Sequence, residues 1–196
     1  MFVQVIKGHT GDPAGLRRQF ERWGTDLRPG AVGFLGSTVG IADDGTFIAL
    51  ARFTDAAAAA QNSGLPEQGA WWEATARLVD GEASFRESSD TSLLFDGGSD
   101  TAGFVQVMEG TVSDRDKVEA FETPEMMERL RTARPDLLGG QRVWFEDGTY
   151  LDAAYFASEA DARRGEQSTD FAEPAAAYSE LFGETTFLDL RDPLTI

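Results

Sequence analysis

The 196-residue sequence contains no cysteine, one histidine, His9, and only two lysines, Lys7 and Lys117. Each shortage removes a class of chemistry. Without Cys there is no disulfide, no thiolate nucleophile and no Cys-ligated zinc or iron–sulfur site, and thiols give no clue to redox compartment. With a single His no two-His metal face can form, which leaves carboxylate-only Mg or Ca sites, and no calcium-loop pattern occurs; no metal is expected. No apolar run approaches the ~18 residues a membrane span needs. The N-terminal MFVQVIKGHT lacks the basic stretch and long apolar core of a signal peptide, so a cytoplasmic protein is expected.

Positive charge is also scarce. Against 34 Asp and Glu stand 17 Lys and Arg, a formal charge of −17 with a pI near 4.3. Phosphate binding relies on clustered cations, so nucleic acid and anionic membrane surfaces are not expected partners. What is plentiful is apolar: 41% hydrophobic residues and 14 Phe, a composition that packs a core rather than staying disordered.

The sequence repeats itself. Phe2-Val3-Gln4-Val5 recurs as Phe104-Val105-Gln106-Val107, and Gly8 and Asp12 recur as Gly110 and Asp114, at an offset of 102. Asp44-Gly45-Thr46-Phe47 matches Asp147-Gly148-Thr149-Tyr150 at 103, Arg28-Pro29 matches Arg134-Pro135 at 106, and Gly81-Glu82 returns to 102 as Gly183-Glu184. The second half therefore carries about one extra helical turn early and loses it before the Asp-Gly turn.

Each half reads as β-α-β-β-α-β. A strand from Phe2 to Lys7 is followed by Asp12 as helix cap and Pro13 at the first helical position. Leu16, Phe20, Trp23 and Leu27 then form one apolar stripe. A second strand spans about 31–42, and Asp43-Asp44-Gly45 turns the chain into a third, Thr46 to Phe53. An Ala-rich helix capped by Thr54 or Asp55, a break at Gly64-Leu65-Pro66, a second helical piece over 68–78 and a strand from Ala83 extending towards Leu94 complete the half. In the second copy, Val118, Phe121, Met126 and Leu130 mark the first helix, with a kink or restart expected at Pro124.

These patterns predict an α+β protein with a first ferredoxin-like repeat over 1–95, a linker over 96–103 containing Asp96-Gly97-Gly98-Ser99-Asp100, and a second repeat over 104–196. Each repeat covers one sheet face with helices and leaves the other bare; packing the bare faces together would give an intramolecular barrel. Having satisfied that face internally, the chain is expected to be a monomer or a weak homodimer.

The duplicated strand, capped helix, Asp-Gly hairpin and broken second helix resemble the dimeric α+β barrel superfamily, and within it the antibiotic biosynthesis monooxygenase-like group in tandem-duplicated form. Gly15-Leu16-Arg17-Arg18-Gln19-Phe20, Glu67-Gln68-Gly69-Ala70-Trp71-Trp72 and Leu188-Asp189-Leu190-Arg191-Asp192-Pro193 are similar to an actinobacterial lineage of such proteins. The resemblance implies a ligand cavity between sheet and helices. It also implies a range of activities, from cofactor-free oxygenation of aromatic polyketides to haem degradation and lactone isomerisation. The haem-degrading branch brings a His from the second helix region; Gln61 and Asn62 stand there instead, which argues against haem. No cofactor is expected.

Gln4 and Gln106 interrupt apolar strands at matched positions; they could orient a ligand, or satisfy each other. Trp71 and Trp72, with Trp23, could wall a pocket for a flat aromatic molecule, or pack as core. The second half carries Glu173-Pro174 in their place, so a single site is expected, in the first half or at the seam. Arg52 and its counterpart Tyr155 could meet an anionic or phenolic group, or be paired within the fold. His9 could act as an acid or base, although no partner is evident nearby in sequence. Asp43, Asp44, Glu146 and Asp147 read as solvated turn residues. The functional expectation is a protein that binds a small apolar or aromatic molecule. In its enzymatic version it is a cofactor-independent monooxygenase in which Trp72, Gln4 and Tyr155 position substrate and dioxygen and Arg52 stabilises a phenolate. The alternative is a non-catalytic binding or structural stress-type protein with a solid core.

Overall fold

The computed structural model describes residues 1–196. Asp12 ends the first strand's exit loop by accepting a hydrogen bond from the Gly15 N–H at 2.9 Å, and Pro13 follows where a missing N–H costs nothing. Local signals of this kind set the order β1 (Phe2–His9), α1 (Pro13–Asp26), β2 (Phe34–Ile41), β3 (Thr46–Phe53), α2 (Ala56–Ser63), α3 (Pro66–Ala76) and β4 (Ser84–Ser88). Next come β5 (Thr91–Leu94), β6 (Phe104–Val112), α4 (Arg115–Phe121), α5 (Pro124–Ala133), β7 (Leu137–Trp144), β8 (Thr149–Phe156), α6 (Glu159–Glu166), α7 (Ala172–Ser179), β9 (Phe182–Arg191) and β10 (Leu194–Thr195). The fold is mixed α+β, with two five-stranded antiparallel sheets.

Two compact units result, one of residues 1–91 with 192–196, the other of residues 92–191. Their sheets have the same plan: β10-β2-β3-β1-β4 in the first and β5-β7-β8-β6-β9 in the second. Registers also agree. Phe2 faces Phe53 across β1 and β3, Phe104 faces Phe156 across β6 and β8, and a bulge interrupts β2 at Phe34/Gly36 and β7 at Leu137/Gly139. Both Asp-Gly hairpins place glycine in the left-handed region, at φ +87° for Gly45 and +79° for Gly148.

The structure departs from the sequence reading at the end of the first half. The stretch 83–94 is two strands, because the Ser88 hydroxyl accepts the Asp90 N–H at 3.0 Å and turns the chain out of β4; β5 then joins the second sheet. The last residues of the chain join the first sheet, with Ser37 and Ile196 exchanging both backbone hydrogen bonds at 2.9 and 3.0 Å. Pro124 gives a restart: α4 stops at Phe121, and the Thr123 hydroxyl caps α5 by accepting the Met126 N–H at 3.2 Å.

In the first unit the helices sit tightly on the sheet. Leu16, Phe20 and Trp23 of α1 and Trp71 of α3 pack with Ile6, Val39, Phe47 and Ala49 in one buried cluster. The helices are tied to each other as well. Trp71 donates to the Gln19 carbonyl at 3.0 Å, Gln19 donates back to the Trp71 carbonyl at 3.2 Å, and Trp23 donates to Gln68 at 2.7 Å.

Candidate functional site

The second unit is built on the same plan but is not filled in the same way. Strand alternation turns Gln106 and Met108 of β6, Arg142 and Trp144 of β7, and Tyr150, Asp152 and Ala154 of β8 towards the helices. Above them α5 and α7 contain no fully buried residue, whereas α1 and α3 bury Leu16, Phe20, Trp23 and Trp71. A cavity of about 1000 Å³ lies between this sheet face and the helices.

The difference traces to residue size. Where the first unit has Trp71-Trp72, the second has Glu173-Pro174, and Ala172 and Ala175 of α7 line the open space. The wall is mainly apolar, with Phe121, Met126, Met127 and Leu130 on the α4–α5 side. Phe187 of edge strand β9 also lines the cavity while remaining 62% exposed, which places it at the mouth.

A hydrogen-bonded cluster stands on the sheet inside this cavity. The Arg142 guanidinium donates Nε to Asp152 Oδ1 at 2.7 Å and Nη2 to Asp152 Oδ2 at 2.6 Å. Its Nη1 donates to Glu122 Oε1 at 2.7 Å and Nη2 also reaches the Tyr178 hydroxyl at 2.8 Å. Tyr178 donates in turn to Glu122 Oε1, so that one oxygen takes both bonds and Oε2 takes none. Glu122 is the residue that ends α4, and the break imposed by Pro124 lets it leave the helical path and meet Arg142.

Burial shapes the charges here. It would lower the Arg142 pKa, but hydrogen bonding and charge from Asp152, with Tyr178 and Glu122, hold the guanidinium protonated well above its ordinary value. Burial pushes the Asp152 carboxyl up, opposed by Arg142. Burial likewise pushes the Tyr178 phenol well above its usual range, so it remains a donor. Arg142 also stacks over Trp144 and Phe182, with guanidinium-to-ring distances of 5.2 and 5.6 Å.

Of the residues singled out in the sequence, Gln106 lines the cavity and donates to Asp189 at 3.0 Å. Gln4 occupies the matching helix-facing position on β1, between Ala51 and Glu87. Trp71 is core, and Trp72 packs edge-on against Phe85 with ring centroids 4.9 Å apart. Arg52 lies on the side of β3 facing away from the helices and donates to the Thr38 hydroxyl at 3.1 Å. Tyr155 takes the equivalent side of β8 and is fully buried. His9 is exposed; its ring contacts Asp80 at 2.9 Å and the Asp44 carbonyl at 2.6 Å, partners 71 and 35 residues away that sequence proximity could not reveal.

The sequence reading missed Arg142, Asp152, Glu122 and Tyr178. One signal was available: counting outward from the Asp147-Gly148 turn pairs Trp144 with Tyr150, Val143 with Leu151 and Arg142 with Asp152, an opposite-charge pair on adjacent strands. It also missed Gln141, a buried residue on the opposite side of β7 from Arg142, whose side-chain oxygen and nitrogen both lack a hydrogen-bond partner. No helix is long and apolar enough to cross a membrane. No cluster of three or more His, Asp or Glu side chains is arranged to hold a metal ion.

No known protein family and no curated sequence matches the chain. Solved structures do match it in shape along its whole length. A candidate monooxygenase from Lactobacillus acidophilus superposes with a TM-score of 0.73 at 12% identity, covering 100% of this chain and 98% of its own. A candidate monooxygenase from Fusobacterium nucleatum gives 0.78 at 9%, covering 99% and 93%, and an anthrone oxidase-like protein gives 0.67 at 9%, covering 100% and 92%. At these identities the likeness shows the fold alone: the chain shares the ferredoxin-like α+β architecture of these structures, with two five-stranded antiparallel sheets.

Proposed function

We propose that this protein binds a small, largely apolar aromatic molecule in the sheet–helix cavity of its second unit. The observation that carries the reading is a cavity of about 1000 Å³ whose Phe, Met and Leu wall surrounds one partly buried polar cluster on Arg142. That is the general build of a small-molecule site, in which apolar lining supplies affinity and a few placed polar groups fix orientation. Gln106 is positioned to contribute to that orientation.

A second reading is cofactor-independent oxygenation, and the unbonded Oε2 of Glu122 favours it. An activated aromatic such as anthrone has an acidic methylene. Transfer of one of its protons to Glu122 leaves a carbanion that is itself the reductant for dioxygen. Oxygen adds at that carbon, the resulting peroxide takes the proton back from Glu122, and loss of water from the hydroperoxide leaves the new carbonyl of the quinone. Arg142 and Tyr178 would hold the carboxylate in place throughout. An oxygen electrode decides between the readings. Uptake of one O2 per anthrone, abolished in Glu122→Gln, supports catalysis; saturable anthrone binding without uptake leaves the binding reading alone.

A further inference from the structure

Every cation lining the cavity is already matched. Arg142 is bonded to both Asp152 and Glu122, and Arg134 is bonded to Asp136 at 2.7 Å. Lining carboxylates outnumber lining cations, with Glu122, Asp152 and Glu166 against Arg134 and Arg142. Asp152 has both oxygens on Arg142, and Glu166 is bonded to Arg163 at 2.9 Å. Glu122 and Glu166 each keep Oε2 without a protein hydrogen bond, but only Glu122 stands on the sheet-side cluster beside aromatic rings. Tyr178 donates to it, Phe121 packs on Tyr178 with centroids 5.2 Å apart, and Phe182 packs on the same ring at 4.9 Å.

A half-bonded carboxylate beside electron-rich ring faces, in a partly desolvated space with no spare cation, is the chemistry that recognises an organic cation. An anionic ligand would find no uncompensated positive charge there and would meet net negative charge instead. From this we infer that the cavity discriminates by charge: it takes aromatic molecules carrying a protonated amine, held against Glu122, and rejects aromatic acids of the same shape. The inference rests on the reading that the cavity binds an aromatic molecule. It follows the binding version of that reading, because a carboxylate holding an ammonium group is not free to act as base.

The test uses one three-ring frame with three charges: 9-(aminomethyl)anthracene, 9-(hydroxymethyl)anthracene and anthracene-9-carboxylate. Each is titrated with the full-length protein at pH 7 by anthracene fluorescence anisotropy. Salt at about 0.3 M screens the diffuse attraction of the acidic surface for any cation. The amine is expected to bind at least tenfold more tightly than the alcohol, and the carboxylate more weakly than either. Glu122→Gln, checked for native circular dichroism, is expected to remove the amine's advantage, so that amine and alcohol bind alike. Should that variant lose native structure, the wild-type order of amine, alcohol and carboxylate still decides. Equal binding of amine and alcohol, tighter binding of the acid, or an amine preference that survives in a folded Glu122→Gln overturns the charge inference while leaving aromatic binding intact. Saturable binding of none of the three overturns the binding reading and the inference with it.

Discussion

Arg142 and Asp152 face each other directly across β7 and β8 and are joined by two parallel N–H···O bonds of 2.7 and 2.6 Å on the helix-facing side of the sheet. The carboxylate is mostly buried, its side chain 17% exposed, so removing the guanidinium strands it. Arg142→Ala is expected to cost about 3–5 kcal/mol, the range for breaking a buried pair. Asp152→Asn costs less, since Arg142 retains Glu122 and Tyr178. Arg142→Met with Asp152→Leu recovers part of the loss, because the stranded Asp152 carboxylate is gone while Glu122 keeps only the Tyr178 bond. Urea denaturation of the three variants checks the order; a double variant no better than Arg142→Ala would refute it.

Gln141 presents the opposite case, a buried amide with no partner for either atom. A desolvated, unsatisfied polar group is a standing cost of about 1–3 kcal/mol. Gln141→Met, similar in volume, is therefore expected to raise the denaturation midpoint. A lowered midpoint would mean that the amide has a partner in solution.

Trp71 and Trp72 separate core from surface support. Trp71 belongs to the buried cluster of the first unit, and Trp71→Ala is expected to cost about 3–5 kcal/mol, in line with deletion of a large aromatic from a packed core. Trp72, half-buried against Phe85, costs clearly less on the same change. Thermal denaturation of the two single variants reads the difference, and equal losses would contradict the assignment.

Most of the fold was written in short-range signals. Asp12-Pro13, Asp44-Gly45 and Thr123-Pro124 each act through their own backbone, so the helix starts and hairpins could be read without tertiary knowledge. Strands β5 and β10 could not be read in that way, because what decides them is which sheet edge they join. The cavity was legible only in reverse. Trp71-Trp72 against Glu173-Pro174 did flag the halves as non-equivalent, but bulk fills a space and its absence opens one, so the hollow unit is the one without the tryptophans. Glu122 and Tyr178 are 56 residues apart and converge only through helix packing.

His9, the sole imidazole, gives a clean titration. Its hydrogen bond to Asp80, then that to the Asp44 carbonyl, raises its pKa above the ordinary 6.5. A group whose folded pKa is raised contributes stability that is fully present below its unfolded pKa and lost as pH rises through the folded value. Folding stability is therefore expected to decline above about pH 6.5 in a way that Asp80→Asn weakens. The single His ring resonance in a ¹H–¹³C NMR titration should show a midpoint above 6.5 in the wild type, moving down in Asp80→Asn. An unmoved midpoint would contradict the contact.

A ligand space in the second unit, over Arg142 and not beside Trp71, has a direct consequence for binding. Equilibrium dialysis of 9-(hydroxymethyl)anthracene against wild type, Ala175→Trp and Trp71→Phe tests it most directly. Ala175 lines the cavity, so tryptophan there occupies the space the ligand needs. One saturable equivalent is expected to bind to wild type and to Trp71→Phe, and none to Ala175→Trp. Binding that survives in Ala175→Trp and disappears in a folded Trp71→Phe would contradict it.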